Sequence, residues 1–207
     1  MDNAEKPFQN NPPCSVQDKS ICEDCELDRD LKCRFSWPNF LLFSLFSALF
    51  FLPLAVGLIW HGMTGWFLGW LGVFMAAFIT LGFKTFCRHC PLYADKGLFL
   101  KCYAMVGIPK LWASSPKPVQ KNDLKLLAAV FLPIGAIPFV LLAVSGAYGF
   151  FVLSILGFAC MLIGMRAFFC PQCVHFSCPL NSVPQEKVLA YLQRNPEMQQ
   201  ALRDSGK

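Results

Sequence analysis

The chain has 207 residues, of which 55% are hydrophobic and 15% charged, and its mean hydropathy is +0.46. Soluble domains carry about 25% charged residues, so the composition excludes an ordinary soluble enzyme and points to a protein with the lipid bilayer as its main partner. The net charge of +5 does not call for nucleic acid, because the distribution of basic residues follows the membrane topology derived below.

Residues 1–36 are polar and acidic, with five Lys or Arg against eight Asp or Glu. They lack a basic start, a short apolar core and a small-residue cleavage site, so insertion is expected to rely on the first internal span rather than on a secretory signal. This segment carries Cys22 and Cys25 as a Cys-x-x-Cys pair, with Cys33 downstream. Cys14 reads as an extra thiol in a mobile terminus.

Four apolar runs follow, expected at residues 38–60, 64–83, 126–144 and 148–165. Each reaches the roughly 17–25 residues that a helix needs to cross the hydrocarbon core. His61-Gly62-Met63 and Ser145-Gly146-Ala147 are too short to join anything but antiparallel neighbours, so the spans pair as two hairpins. Trp60, Trp66, Trp70 and Tyr148 lie near these turns and are expected at the membrane interface. Gly65, Gly69, Gly72, Ala76 and Thr80 in the second span, and Gly157, Cys160 and Gly164 in the fourth, form small-residue stripes that predict close helix contacts. Pro53, Pro133 and Pro138 each remove a backbone hydrogen bond and are expected to kink their helices.

Between the hairpins, residues 84–123 hold seven basic and two acidic residues, and residues 166–207 hold five and three. Neither short turn bears a charged residue. Basic residues are retained on the cytoplasmic side, so both termini and the central segment are expected inside, in the inner (cytoplasmic) membrane. Residues 96–112 interleave Leu98, Phe99, Tyr103 and Trp112 with Lys96, Lys101 and Lys110, which predicts an anchor at headgroup level. After residue 178 the chain reads as two short soluble helices. Ser182 is the expected cap of the first, Asn195 followed by Pro196 opens the second, and Gly206 ends it. Val188, Leu189 and Leu192 give the first of these helices an apolar face, for packing beneath the membrane or for a cytosolic protein partner.

The sequence also repeats. Phe51-Leu52-Pro53 recurs as Phe131-Leu132-Pro133, and Phe86-Cys87 as Phe169-Cys170, so two copies of one unit related by an axis along the membrane normal are expected. The fold class is therefore all-α membrane protein, four transmembrane helices as two duplicated hairpins with a cysteine-rich cytosolic cap. Its parts are a Cys-rich N-terminal segment (1–36), hairpin 1 (37–86), a Cys-rich basic loop (87–123), hairpin 2 (124–169) and a Cys-rich C-terminal segment (170–207).

Nine of the eleven cysteines form three trios: Cys22, Cys25 and Cys33; Cys87, Cys90 and Cys102; Cys170, Cys173 and Cys178. Two residues between thiols let both sulfurs turn onto one ion, as in zinc and iron–sulfur sites. A reducing cytosol disfavours disulfides, and soft thiolates suit zinc, copper(I) and iron–sulfur clusters. Each such centre takes four ligands, so eight trio thiols fill two sites, with His175 able to replace one. His89 is the poorer substitute because it lies inside the Cys87–Cys90 turn. Cys90-Pro91 and Cys178-Pro179 resemble iron–sulfur ligands, yet the bacterial ferredoxin spacing is missing, which puts zinc ahead of an iron–sulfur cluster. The expected function is a membrane metalloprotein with a structural or electron-transfer role. Two alternatives come from other classes. A carrier of mercury(II) or copper(I) needs ligands inside the spans, where only Cys160 qualifies. A thiol oxidoreductase needs one activated couple, for which Arg88 and His89 beside Cys87 and Cys90 would favour the thiolate.

Overall fold

The computed structural model describes residues 12–18, 22 and 25–204; the expected helix end at Gly206 lies outside them. A short helix α1 (Glu26–Asp30) precedes α2 (Trp37–Trp60), which begins where the Ser36 hydroxyl accepts the Asn39 N–H at 3.4 Å. After a three-residue turn, α3 (Thr64–Ala77) runs through a wide π-type turn (Phe78–Gly82) into α4 (Phe83–Thr85). The central segment contains an antiparallel hairpin of β1 (Phe99–Lys101) and β2 (Val106–Pro109). Then come α5 (Lys121–Val144), α6 (Tyr148–Gly164), a second π-type turn (Met165–Phe169), and the short helices α7 (Gln185–Gln193) and α8 (Pro196–Asp204).

Four helices are long and apolar enough to cross a membrane: Trp37–Trp60, Thr64–His89, Lys121–Val144 and Tyr148–Gln172. The second and fourth run past their expected ends, because the π-type turns carry the helical path through Lys84 and Arg166 up to the cysteine pairs. The third starts earlier than residue 126, with Lys121, Asp123 and Lys125 forming a polar first turn and a half.

The two connecting turns are alike. Gly62 and Gly146 adopt positive φ of 74° and 75°. Met63 N–H returns to the Leu58 carbonyl at 2.8 Å, and Ala147 N–H to Leu142 at 2.9 Å. This is the Schellman closure, which needs a left-handed residue and so favours glycine at that one place.

The closest helix packing is between α2 and α6, across the two hairpins rather than within either. Pro53 has no N–H, so the Leu49 carbonyl loses its helical donor. Gly157 sits on that carbonyl: a Cβ added there would lie 2.1 Å from the Leu49 oxygen and 3.0 Å from the Phe50 Cα. Such close approach replaces part of the missing hydrogen bond with Cα–H and peptide contacts. Two turns further on, Gly164 faces the Phe46 ring, where an added Cβ would stand 2.6 Å away.

Pro138 is matched in a different way. It removes the donor for Ile134, and the Trp70 indole N–H fills the gap at 2.7 Å. Trp70 is accordingly buried at 6% exposure, unlike Trp60 at 81% and Trp66 at 68%. Trp60 and Trp66 thus stand exposed near the turn, whereas Trp70 departs from the interfacial expectation because a freed carbonyl claims its N–H. The stripe expectation also divides. An added Cβ at Gly65, Gly69 or Gly72 would meet nothing within 4 Å, so the α3 stripe faces outward, whereas Gly157 and Gly164 are contacts. Cys160, between those two, is exposed on the bundle surface.

At the polar end, the N-terminal, central and C-terminal segments share one apolar core built from Leu27, Leu31, Leu92, Tyr103, Val174 and Tyr191 among others. Lys32 fastens it to the end of the fourth span and to α2: its N–H meets the Gln172 carbonyl at 2.7 Å, and its Nζ meets Gln172 Oε1 at 2.8 Å and Asn39 Oδ1 at 3.1 Å. In the C-terminal part, α7 starts after Pro184 with no side-chain cap, so Ser182 does not cap it. Leu192 is buried and Leu189 is 48% exposed. Val188 packs at the edge of the shared core.

Gly157→Leu is expected to destabilise the bundle by about 1–3 kcal/mol, the usual cost of forcing volume into a packed contact. The same change at outward-facing Gly69 serves as the control. Thermal unfolding in detergent checks this, and equal melting temperatures for the two variants would contradict it.

Candidate metal centre

The two membrane-exit motifs share one backbone. Phe86 (φ −126°, ψ −62°) leads into a 3₁₀ turn Cys87–His89, with Cys90 extended at φ −82°, ψ 134°. Phe169 (φ −113°, ψ −48°) leads into a 3₁₀ turn Cys170–Gln172, with Cys173 at φ −83°, ψ 126°. A turn of this kind holds the two thiols of each pair on one side of the chain.

The β-hairpin brings a third thiol. Cys102 and Met105 exchange both backbone hydrogen bonds, at 2.9 and 3.0 Å, which puts Cys102 and Tyr103 at the tip of the hairpin. Tyr103 packs on Phe169 with ring centroids 5.4 Å apart, and its hydroxyl donates to Cys173 Sγ at 2.9 Å. The residues expected to form an interfacial anchor are therefore a strand pair. Leu98 and Phe99 stand exposed, while Tyr103 is buried in the polar-end core and Leu100 in a separate cluster with Phe83 and Tyr93.

Thiols from the two motifs meet here. Burial pushes the Cys90 thiol well above its ordinary value, and the charges of Cys102 and Cys173 push it further. Cys102 is pushed up to about 11 by burial, with a further push from Cys173. Burial also raises Cys173, partly offset by the Tyr103 hydroxyl and by the His175 N–H, which lies 3.4 Å from its sulfur. Cys178 is raised by burial and by the nearness of Cys173 and Cys170. Cys90, Cys102 and Cys173 are thus within electrostatic reach of one another, and Cys178 is within reach of Cys173 and Cys170.

His175 bridges the two motifs. Its ring stacks on Phe86 at 4.3 Å between centroids, and its Nε2 lies 3.2 Å from the Phe86 carbonyl. A carbonyl only accepts, so Nε2 carries the proton and Nδ1 keeps a bare lone pair. Nδ1 is buried without a hydrogen-bond partner, and burial depresses the imidazole to about 4, which keeps it neutral at pH 7. A histidine whose far nitrogen is held by a carbonyl and whose near nitrogen is free has the arrangement of a metal ligand. His89 instead points Nδ1 at the Lys117 carbonyl, 2.7 Å away.

A second group of thiols stands at the N-terminal side. Burial pushes Cys33 up to about 12, and the charges of Cys14, Asp28, Cys25 and Cys22 add to the rise. Cys14, set aside as an extra thiol on sequence grounds, belongs with that trio. The signal was available in the symmetric spacing Cys14-x7-Cys22-x2-Cys25-x7-Cys33. Tyr191 is buried between the two groups, near enough for Cys14, Cys33 and Cys90 all to raise it.

All eleven cysteines are free thiols. Among the described residues no three Cys, His, Asp or Glu side chains stand close enough together to hold an ion without moving. The donor types fit a soft cation: thiols in paired turns, sulfur-directed hydrogen bonds, and an orphaned buried imidazole nitrogen. Comparison with protein-family models, curated proteins and solved structures finds no match to this chain.

In metal-free, reduced protein, Tyr103→Phe removes the hydroxyl that favours the Cys173 thiolate. Its alkylation at fixed pH is expected to slow severalfold while that of Cys178 holds steady, as read by mass spectrometry. An unchanged Cys173 rate would contradict the assignment of that hydrogen bond.

Proposed function

We propose that this is a membrane metalloprotein whose cytosolic thiol groups bind zinc or an iron–sulfur cluster, in a structural or electron-transfer role. The observation that carries the reading is the Cys173 sulfur, which accepts from the Tyr103 hydroxyl at 2.9 Å and from the His175 backbone N–H at 3.4 Å, with the buried Nδ1 of that same histidine left without a hydrogen-bond partner. Cys90, Cys102, Cys173 and either His175 or a neighbouring thiol of the pairs would hold the cation. Bound zinc would serve as a closed structural ion, and a cluster would supply one-electron chemistry. Burying thiols costs less once a cation replaces their protons, and Tyr103 and His175 N–H help by donating to the Cys173 sulfur.

The cap is read as cytosolic because every basic residue among the described residues lies at the cap end or beside it, and the opposite turns are uncharged. The repeat of the cysteine turns supports duplication of the hairpins, although α2 against α6 is a far tighter contact than α3 against α5.

Two other readings have less support. A dithiol oxidoreductase needs a thiolate of lowered pKa, and burial moves Cys90 the other way. A metal carrier needs a path through the spans, and Cys160 lies on the outer surface of the bundle.

Anaerobically purified protein is expected to contain stoichiometric zinc, or iron with acid-labile sulfide and visible absorption, and Cys173→Ser is expected to lower that content. A protein with neither metal would overturn the reading. For topology, His61→Cys is expected to take an impermeant maleimide from outside intact cells while Cys87 and Cys170 do not. Labelling of Cys87 or Cys170 from outside would place the thiols on the wrong face.

A further inference from the structure

We propose that Cys14, Cys22, Cys25 and Cys33 form a tetrathiolate zinc site of their own, held by donors from the α7–α8 turn and separate from the thiols around Cys173. The inference rests on the metal-binding reading above and adds a fourth ligand, a second site and the chemistry of its surroundings.

The four sulfurs do not stand within reach of one ion in this structure, but hydrogen-bond donors reach three of them from three places. Asn195 grips Cys14 on both sides: the Cys14 N–H donates to Asn195 Oδ1 at 2.8 Å, and Asn195 Nδ2 donates to Cys14 Sγ at 3.4 Å. The neighbouring Arg194 directs Nη1 to Cys25 Sγ at 2.9 Å. Arg34, next in sequence to Cys33, directs Nε and Nη2 to Cys22 Sγ at 3.4 and 3.3 Å. The Cys25 N–H closes the pair onto the Cys22 carbonyl at 3.1 Å. Cys33 is buried in the same apolar core that Cys14 and Cys25 line.

Three of the four sulfurs thus accept hydrogen bonds from side-chain donors, and two of those donors are guanidinium groups. Zinc with four thiolates carries a net charge of −2, which Arg34 and Arg194 are placed to balance. Donors to ligand sulfur orient the ligand and stabilise its ionised form. Four thiolates also complete the tetrahedron that a structural zinc ion takes, with no open position for substrate. Asn195 stands directly before α8, as expected, with its carbonyl accepting the Gln199 N–H at 3.1 Å, and its side chain reaches Cys14 and, at 2.7 Å, the Tyr191 carbonyl, so the turn also serves the thiols. The site would fasten the N-terminal segment to the C-terminal helices, where Lys187 Nζ and Asp30 Oδ2 already pair at 2.9 Å.

The test uses the full chain in detergent, purified without oxygen. Cys14→Ser is expected to lose one zinc ion per chain and, in cobalt-substituted protein, the visible bands of a tetrahedral tetrathiolate ion. Cys160→Ser is expected to lose neither. Alkylation mapping of the unmutated protein supplies a second readout that does not depend on how Cys14→Ser folds: Cys14, Cys22, Cys25 and Cys33 should become reactive together when zinc is chelated. Full zinc in Cys14→Ser would overturn the site, as would alkylation of Cys14 before chelation with the other three protected. Iron and labile sulfide lost in place of zinc would overturn the zinc assignment. Absence of metal from the wild type would overturn the broader function, whereas metal insensitive to Cys14 overturns only this site.

Discussion

The contact on which the rest depends is that of Gly157 with the Leu49 carbonyl. Proline at position 53 leaves that oxygen without a helical donor, and glycine is the residue that lets a second backbone reach it. Once α2 and α6 are seated there, their register is fixed along the whole seam toward the polar end. Gly164 meets Phe46, Phe168 stacks on the same ring at 5.9 Å, and Phe169 meets Phe43 at 5.5 Å. The seam ends where Lys32 grips Gln172, inside the Cys170–Cys173 turn. A packing event in the apolar interior thereby places the chain before α2 beside the chain after α6.

The polar end then has a chemical problem. Thiols drawn from three segments are packed into a low-dielectric core, where each resists ionisation and each opposes ionisation of the others. Left protonated they are merely small apolar side chains. The donors aimed at their sulfurs argue for more than that: Tyr103 and His175 toward Cys173, Arg34 and Arg194 toward Cys22 and Cys25. Charged donors directed at sulfur make sense where the sulfur is to be a thiolate, and a soft cation is the partner that keeps a buried thiolate stable.

Much of this was legible in the sequence. Hydropathy located the four candidate spans, and the shortness of the two links called for tight turns, though not for the left-handed closures found at Gly62 and Gly146. The Phe-Cys-x-x-Cys repeat foretold two turns of one conformation. Other features depended on partners far away in the chain. The stripes in α3 and α6 have similar spacing, but only the α6 stripe faces a carbonyl freed by proline, so spacing alone did not separate contact from open surface. Trp70 resembles any interfacial tryptophan until Pro138 is seen to orphan Ile134. The strand pair at residues 99–109 was hidden by lysines typical of a headgroup anchor. Cys14 reads in the sequence as an extra thiol in a mobile terminus, although its distance from Cys22 equals that of Cys25 from Cys33. Asn195, 181 residues away, is what holds it.

The central claim is that these gathered thiols ligate a cation. X-ray absorption at the zinc or iron edge of the anaerobically purified protein tests it most directly. The account predicts a first shell dominated by sulfur at about 2.3 Å, with at most one nitrogen. A first shell of oxygen and nitrogen alone would contradict it.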